Sequence, residues 1–334
     1  MAQRRLTGQQ RARISRIHEQ RRQRASEEAE HALSAADDKA HEGIVIIRHG
    51  RNLLVADEQQ HLTPCLFRQN LGQIVCGDRV VWHQTGENEG VVTALQPRTT
   101  LLSRPDYSGR EKALAANLTQ LLIVAAPEPP PTGYLLDQYF VAAENIGLEA
   151  VLLLNKSDLL TTDHPLRKTA SIYRQIGYTV IEISSKQMSG MNTLQQQLQH
   201  QTSMLVGQSG VGKSSLVNAL LPEQNIVVGQ LSETSGLGKH TTSSATLYFL
   251  PQGGSLIDSA GVRSFRLMIT ERRQLEKGFR EFHDYLGHCR FSDCSHTHEP
   301  GCALIVAVEE GAICAWRLRH FLQMAKNLEK RTKR

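Results

Sequence analysis

The chain has 334 residues, 40% of them hydrophobic and 21% charged, which is the balance of a soluble globular protein with room for two or three domains. No run of eighteen apolar residues occurs and the Arg-rich amino terminus leads into no apolar stretch, so a membrane span and a secretory signal both lack support and a cytoplasmic protein is expected. The net charge of +5 is unevenly spread: residues 1–24 hold eight Arg and one acidic residue, residues 315–334 hold seven basic and one acidic, and the stretch between is net acidic, as in a protein that grips a polyanion with both ends.

Residues 1–40 are polar and lack apolar periodicity, and read as a basic flexible arm. From Glu42 the short β-rich runs GIVIIRHGRNLLVA, HLTPCLFR, GDRVVWHQ and EGVVTALQP predict a small all-β barrel over about 41–105. NLTQLLIVAA then predicts a buried strand stopped by prolines, and YLLDQYFVAAENIG a helix, which opens a βαβ rhythm. VLLLNKSDLL continues it as a strand and loop, followed by a helix around RKTASIYRQIGY, the strand TVIEIS, a helix around MNTLQQQLQ and the strand TSMLVG. A strand pair, SATLYFL and GSLID, follows around PQGG. The expected class is therefore α/β for residues 106–269, with a small helical domain built around a Cys/His knot at 270–334.

GQSGVGKS fits the phosphate-loop pattern, lying between a strand and the helical run SSLVNALL. Gly207, Gln208, Ser209, Gly210, Val211 and Gly212 can turn backbone N–H groups onto phosphates, with Lys213 on the β and γ oxygens, Ser214 on Mg²⁺ and Ser215 alongside. This loop alone does not choose between ATP and GTP. Asn155, Lys156, Ser157 and Asp158 do: the Asp158 carboxylate accepts two hydrogen bonds from the N1–H and amine of guanine, which adenine cannot supply. Asn155 braces the loop and Lys156 lies along the base, while Ser184, Ser185 and Lys186 are placed to cover guanine from its other side. Asp258 and Gly261 of DSAG are read as a Mg²⁺ holder acting through water and a γ-phosphate contact. SETSGLGKHTT is a switch candidate in which Thr241 or Thr242 reaches Mg²⁺. Val262 stands where many GTPases place the Gln that orients water, so slow intrinsic hydrolysis is expected, with His240 as the substitute candidate.

The base reader precedes the phosphate loop, a cut and rejoining of the usual GTPase order. It also leads the switch region into the Cys/His segment at about residue 270, a short connection along which nucleotide state would reach that segment. In CRFSDCSHTHEPGC, Cys289, Cys294, His296 and Cys302 form a closed set suited to structural Zn²⁺, with His288 and His298 as rival ligands and Cys314 expected in the core.

These residues together resemble one family closely: the circularly permuted GTPases called ribosome small subunit-dependent GTPase A. The resemblance runs the whole chain, through NKSD, SSK, GQSGVGKSS, GKHTT, DSAGVRSF and the Cys/His spacing. It implies that the barrel is an OB fold, that GTP hydrolysis is stimulated by the small ribosomal subunit, and that late assembly of that subunit is the task. One departure is DSAG where the family usually has DSPG. The partners so implied are the small subunit, its rRNA and GTP or GDP, with no membrane and with the protein a monomer. Two other readings stay open at this level: an RNA-binding module with a GTP site used only structurally or for slow timing, and a permuted GTPase acting on the large subunit.

Overall fold

The computed structural model describes residues 39–105, 111–221, 245–259 and 269–332. The arm at 1–38, His240, Thr241, Thr242, Gly261 and Val262 lie outside the described residues. The chain divides into two compact units: the described residues up to Arg98 together with 245–247, and the remainder.

Five strands make the barrel of the first unit: β1 (Ala40–His49), β2 (Asn52–Ala56), β3 (Leu62–Phe67), β4 (Arg79–Gly86) and β5 (Glu89–Leu95). They pair in the order β1-β2-β3-β5-β4, and β4 returns to β1, so the sheet closes on itself. The β3–β5 contact is parallel and the others antiparallel, the OB arrangement of a five-stranded Greek-key barrel. Alternation along the strands fills the interior with Val45, Leu53, Val55, Val80, Trp82 and Val92, and Ile74 joins them from the loop before β4. Gly43 and Gly90 are required beside Trp82: a Cβ on Gly90 would come within 2.6 Å of the indole. The buried Asp78 closes the barrel's end, accepting from Arg98 Nε at 2.7 Å and Nη2 at 2.8 Å and from the Val75 amide at 2.7 Å.

A separate hairpin follows, β6 (Leu101–Pro105) with β7 (Glu111–Ala116). The expected barrel bounds of 41–105 take in β6, but β6 pairs with β7 in a sheet of their own, and neither strand is marked in the sequence.

The second unit is a βα-layered domain. In chain order its elements are β8 (Gln120–Ala125), α1 (Gly133–Ile146), β9 (Glu149–Leu154), α2 (Pro165–Gln175), β10 (Thr179–Glu182), α3 (Met191–Leu198), β11 (Thr202–Val206) and α4 (Lys213–Leu220). After these come β12 (Ala245–Phe249), which is shared between the units, and β13 (Ser255–Ser259). Strands β10, β9, β8, β11 and β13 lie side by side and parallel. All six β8 residues are buried, as expected of a central parallel strand with helices on both faces. The helix ends are set locally: Thr132 Oγ1 accepts the Leu135 amide at the start of α1, and Gly147 ends it in the left-handed region at φ 77°. The chain runs β8, β9, β10 to one side and returns to β11 beside β8, so the strand order reverses between β8 and β11. Ligands bind outside the carboxyl ends of the strands at such a reversal.

The same unit includes α5 (Arg272–Lys277), α6 (Ala303–Glu309) and α7 (Ala315–Thr332), packed around Phe279, Phe282, Leu304, Ile313 and Phe321. Arg317 of α7 is fully buried. Its Nε and Nη2 donate to Glu281 at 2.5 and 2.8 Å, its Nη1 donates to Asp137 of α1, and its guanidinium lies 4.6 Å from the Phe279 ring centre. Burial opposes that charge, but Asp137 and Glu281 outweigh it and hold the guanidinium charged well above the ordinary arginine value. Tyr173 of α2 donates to Asp137 at 2.6 Å, and His320 Nδ1 lies 2.6 Å from the other Asp137 oxygen. Burial, with Asp137 adding to it, pushes the Tyr173 hydroxyl well above its usual range. Arg280 adds a second clamp, donating to Glu144 of α1 at 2.7 Å and to the Gly177 carbonyl at 3.0 Å.

Candidate nucleotide and metal sites

The turn from β11 into α4 needs three glycines with left-handed backbone, Gly207 at φ 144°, Gly210 at 85° and Gly212 at 95°. A Cβ on Gly207 would sit 2.3 Å from the Val124 carbonyl of β8, and one on Gly212 would sit 2.3 Å from Asn155 Nδ2. Val211 plugs the loop into the core, while Ser209, Ser214 and Ser215 are exposed at its rim and Gln208 is half-buried. Lys213 Nζ donates to the carbonyls of Gly207 at 2.7 Å and Gln208 at 2.6 Å, which holds the ammonium inside the loop's curve. The β11–β13 register sets Met204 against Ile257, so Asp258 comes level with Leu205, just before the loop begins.

The 155–158 turn leaves β9 on the other side of β8. Asn155 is buried and does two jobs: its Nδ2 donates to the Val211 carbonyl at 2.9 Å, and its Oδ1 accepts the Ser185 amide at 3.2 Å. One side chain thus ties the base-reading turn to the phosphate loop, 56 positions away, and to the 184–186 turn. Lys156 adopts φ 58° and donates to the Glu128 carbonyl at 2.6 Å; the Ser157 amide donates to Ile183. Asp158 is exposed, and Ser184 Oγ donates to its Oδ1 at 2.6 Å while accepting the Gln187 amide at 3.1 Å. Ser184 is fully buried, so it buttresses the carboxylate from behind; only Ser185 and Lys186 of this turn are open to solvent.

Near the carboxyl end, one ligand atom from each of Cys289, Cys294, His296 and Cys302 falls within 4.8 Å of all the others. His296 Nδ1 lies 3.5 Å from Cys289 Sγ and 3.3 Å from Cys302 Sγ. His296 takes the left-handed φ of 56° to reach in. Three thiols converging on one imidazole fit a soft cation with four-coordinate geometry. Without a cation, burial pushes the Cys294 thiol up to about 12, with Cys302 and Cys289 adding to the rise. The far nitrogen, His296 Nε2, faces Glu276 Oε1 of α5 at 3.6 Å, on the side where an outer carboxylate orients a histidine that binds a metal. The sequence carried no local sign of Glu276. His288 is exposed and His298 turns to Thr297 Oγ1 at 2.9 Å, so neither joins the group. Cys314 is only half-buried, and its carbonyl accepts the Arg317 amide at 2.9 Å, since it sits at the entry to α7 rather than in the core.

Residues 95–268 match the family model described as RsgA GTPase. The small ribosomal subunit biogenesis GTPase RsgA of Hahella chejuensis is 44% identical over 339 residues, covering 98% of this chain and 97% of that protein. The protein of the same description from Pseudomonas putida is 45% identical, covering 98% of each. Among solved structures, YjeQ from Thermotoga maritima is 32% identical with a TM-score of 0.71, covering 87% of this chain and 99% of its own. YloQ, described as a circularly permuted GTPase, is 27% identical with the same TM-score, covering 88% and 96%.

Proposed function

The chain belongs to the RsgA GTPase family and is a GTPase, and we propose that it is a late maturation factor of the small ribosomal subunit, binding rRNA and turning over GTP faster on that subunit. The observation that carries this reading is Asn155, which unites a guanine reader and a phosphate loop delivered in permuted order. A closed OB barrel and basic termini supply surfaces that suit RNA. The domain limits 41–105, 106–269 and 270–334, a cytoplasmic location and a monomeric state belong to the same proposal.

In this reading Asp158, its rotamer set by Ser184, accepts the guanine N1–H and amine, while Asn155 and Lys156 hold the turn. Backbone amides of 207–212 and the Lys213 ammonium bind the phosphates. Ser214 and Asp258 would hold Mg²⁺, which neutralises charge on the transferred phosphoryl group. Thr241 or Thr242 would complete that shell, Gly261 would meet the γ-phosphate, and His240 would orient water; His240→Ala should then slow subunit-stimulated turnover. Cys289, Cys294, His296 and Cys302 would hold one structural Zn²⁺ that cross-links the chain between α5 and α6.

The test is phosphate release with isolated small subunits, isolated large subunits and neither. Stimulation by small subunits alone is expected. Equal rates in all three, or stimulation by large subunits alone, would remove the reading.

A further inference from the structure

The turn between Cys289 and Cys294 reads Arg290-Phe291-Ser292-Asp293, and Phe291, 43% exposed, is the only exposed aromatic among the described residues. Single exposed apolar side chains are ordinary. Phe291 differs in what surrounds it. The Arg290 guanidinium lies over its ring, 5.6 Å from the centre, and pairs with no carboxylate among the described residues. The backbone beneath is pinned: the Arg290 amide donates to the Gly301 carbonyl at 3.0 Å and the Cys294 amide to the Phe291 carbonyl at 3.3 Å. Gly301, at φ 77°, permits that approach, because a Cβ there would come within 3.0 Å of Arg290 Cβ. Both ends of the turn are candidate metal ligands, so binding a cation closes the loop that presents the ring.

An aromatic plane and an unpaired guanidinium on a fixed loop match the face of a nucleobase, which stacks on either. A preordered ring also loses little freedom on binding. A protein interface centred on Phe291 would need further apolar side chains beside it to form its core, with polar residues only at the rim, but the neighbours His288, Ser292 and Asp293 are all polar and exposed. Arg290 and Asp293 offset each other in charge, so recognition here depends on the base rather than on the phosphate backbone.

We propose that Phe291 and Arg290 form a stacking platform for one unpaired base of the RNA that this protein binds, a proposal that rests on the small-subunit reading above. The test uses the full, zinc-loaded chain: wild type, Phe291→Ala and Phe291→Trp, each titrated onto small subunits and onto a single-stranded oligoribonucleotide carrying 2-aminopurine.

Wild type should quench the 2-aminopurine. Phe291→Ala should bind both targets about tenfold more weakly, with zinc content and basal GTPase unchanged and the salt dependence of binding unaltered. Phe291→Trp should restore affinity. Wild-type affinity in Phe291→Ala, equal weakness in Phe291→Trp, or zinc loss in Phe291→Ala would overturn the proposal. So would weakened subunit binding without any quenching by wild type, which would put a protein in the base's place. If wild type quenches the oligonucleotide yet ignores small subunits, the platform stands and the small-subunit reading falls.

Discussion

Replacing Arg317 with Met should be a strongly destabilising single change. The guanidinium has no exposed surface, and it offsets Asp137, which is equally buried, and Glu281, whose side chain is 10% exposed. Methionine fills much of the volume but leaves two carboxylates without their cation; Tyr173 and His320 still reach Asp137, whereas Glu281 loses both of its bonds to Arg317. Breaking a buried pair in this way costs about 3–5 kcal/mol. For a unit of this size each kcal/mol moves the midpoint by roughly 2–4 °C, so a fall of about 10 °C is expected. Differential scanning calorimetry on zinc-loaded protein measures it. The double variant Asp137→Asn with Arg317→Met should regain part of the loss, because one stranded charge is gone. A single-variant shift under about 1 kcal/mol would refute the claim that this cluster fastens α7 to α1. The same bolt opposes the movement that the sequence order suggests for the segment beyond residue 270: spin labels at Gln138 and Gln323 should keep one distance in GDP and in a non-hydrolysable GTP analogue.

Three other outcomes follow from the two sites. Asp158→Asn should weaken GTP by roughly 10–100-fold, the value of about 1–3 kcal/mol for a polar group left unpaired, and should raise preference for xanthosine triphosphate in a competition assay. Lys213→Ala should lower turnover by roughly 100-fold or more while the circular dichroism spectrum of the folded chain is retained. Zinc added to metal-free protein should release protons into weakly buffered solution, since the Cys294 thiol at about 12 is protonated at neutral pH until a cation displaces its proton, and uptake should weaken as pH falls.

Most strands and helices were legible because each carries its own periodicity. β8 is an apolar run from Leu121 onward, and α1 alternates at helical spacing between a Thr cap and a terminating Gly. The phosphate loop, the 155–158 turn and the Cys/His spacing were legible because each is a short pattern whose chemistry is local. What escaped notice is held by distance. Ser184 reads as a flank of guanine from sequence, yet its hydroxyl turns onto Asp158, 26 positions away, because Ser184 is buried where β10 ends. Glu276 reaches His296 from another helix, and Arg317 meets Asp137 across 180 positions. An Arg in a basic tail looks like solvated charge until the fold encloses it. The hairpin β6–β7 was missed because RPDYSGRE reads as a loop, and among the described residues its two short strands pair only with each other.

The permuted order also imposes a timetable. β8 is buried on every residue, apolar from Leu121 to Ala125, and hydrogen-bonds β9 on one side and β11 on the other. During synthesis β9 appears within tens of residues, but β11 does not begin until Thr202. At about 5–20 residues per second, one edge of β8 stays unpaired for roughly 4–15 s. An open hydrophobic edge is a template for pairing with other chains. Newly made copies should therefore be most prone to aggregate, and most in need of a chaperone, in the interval before the phosphate-binding strand emerges.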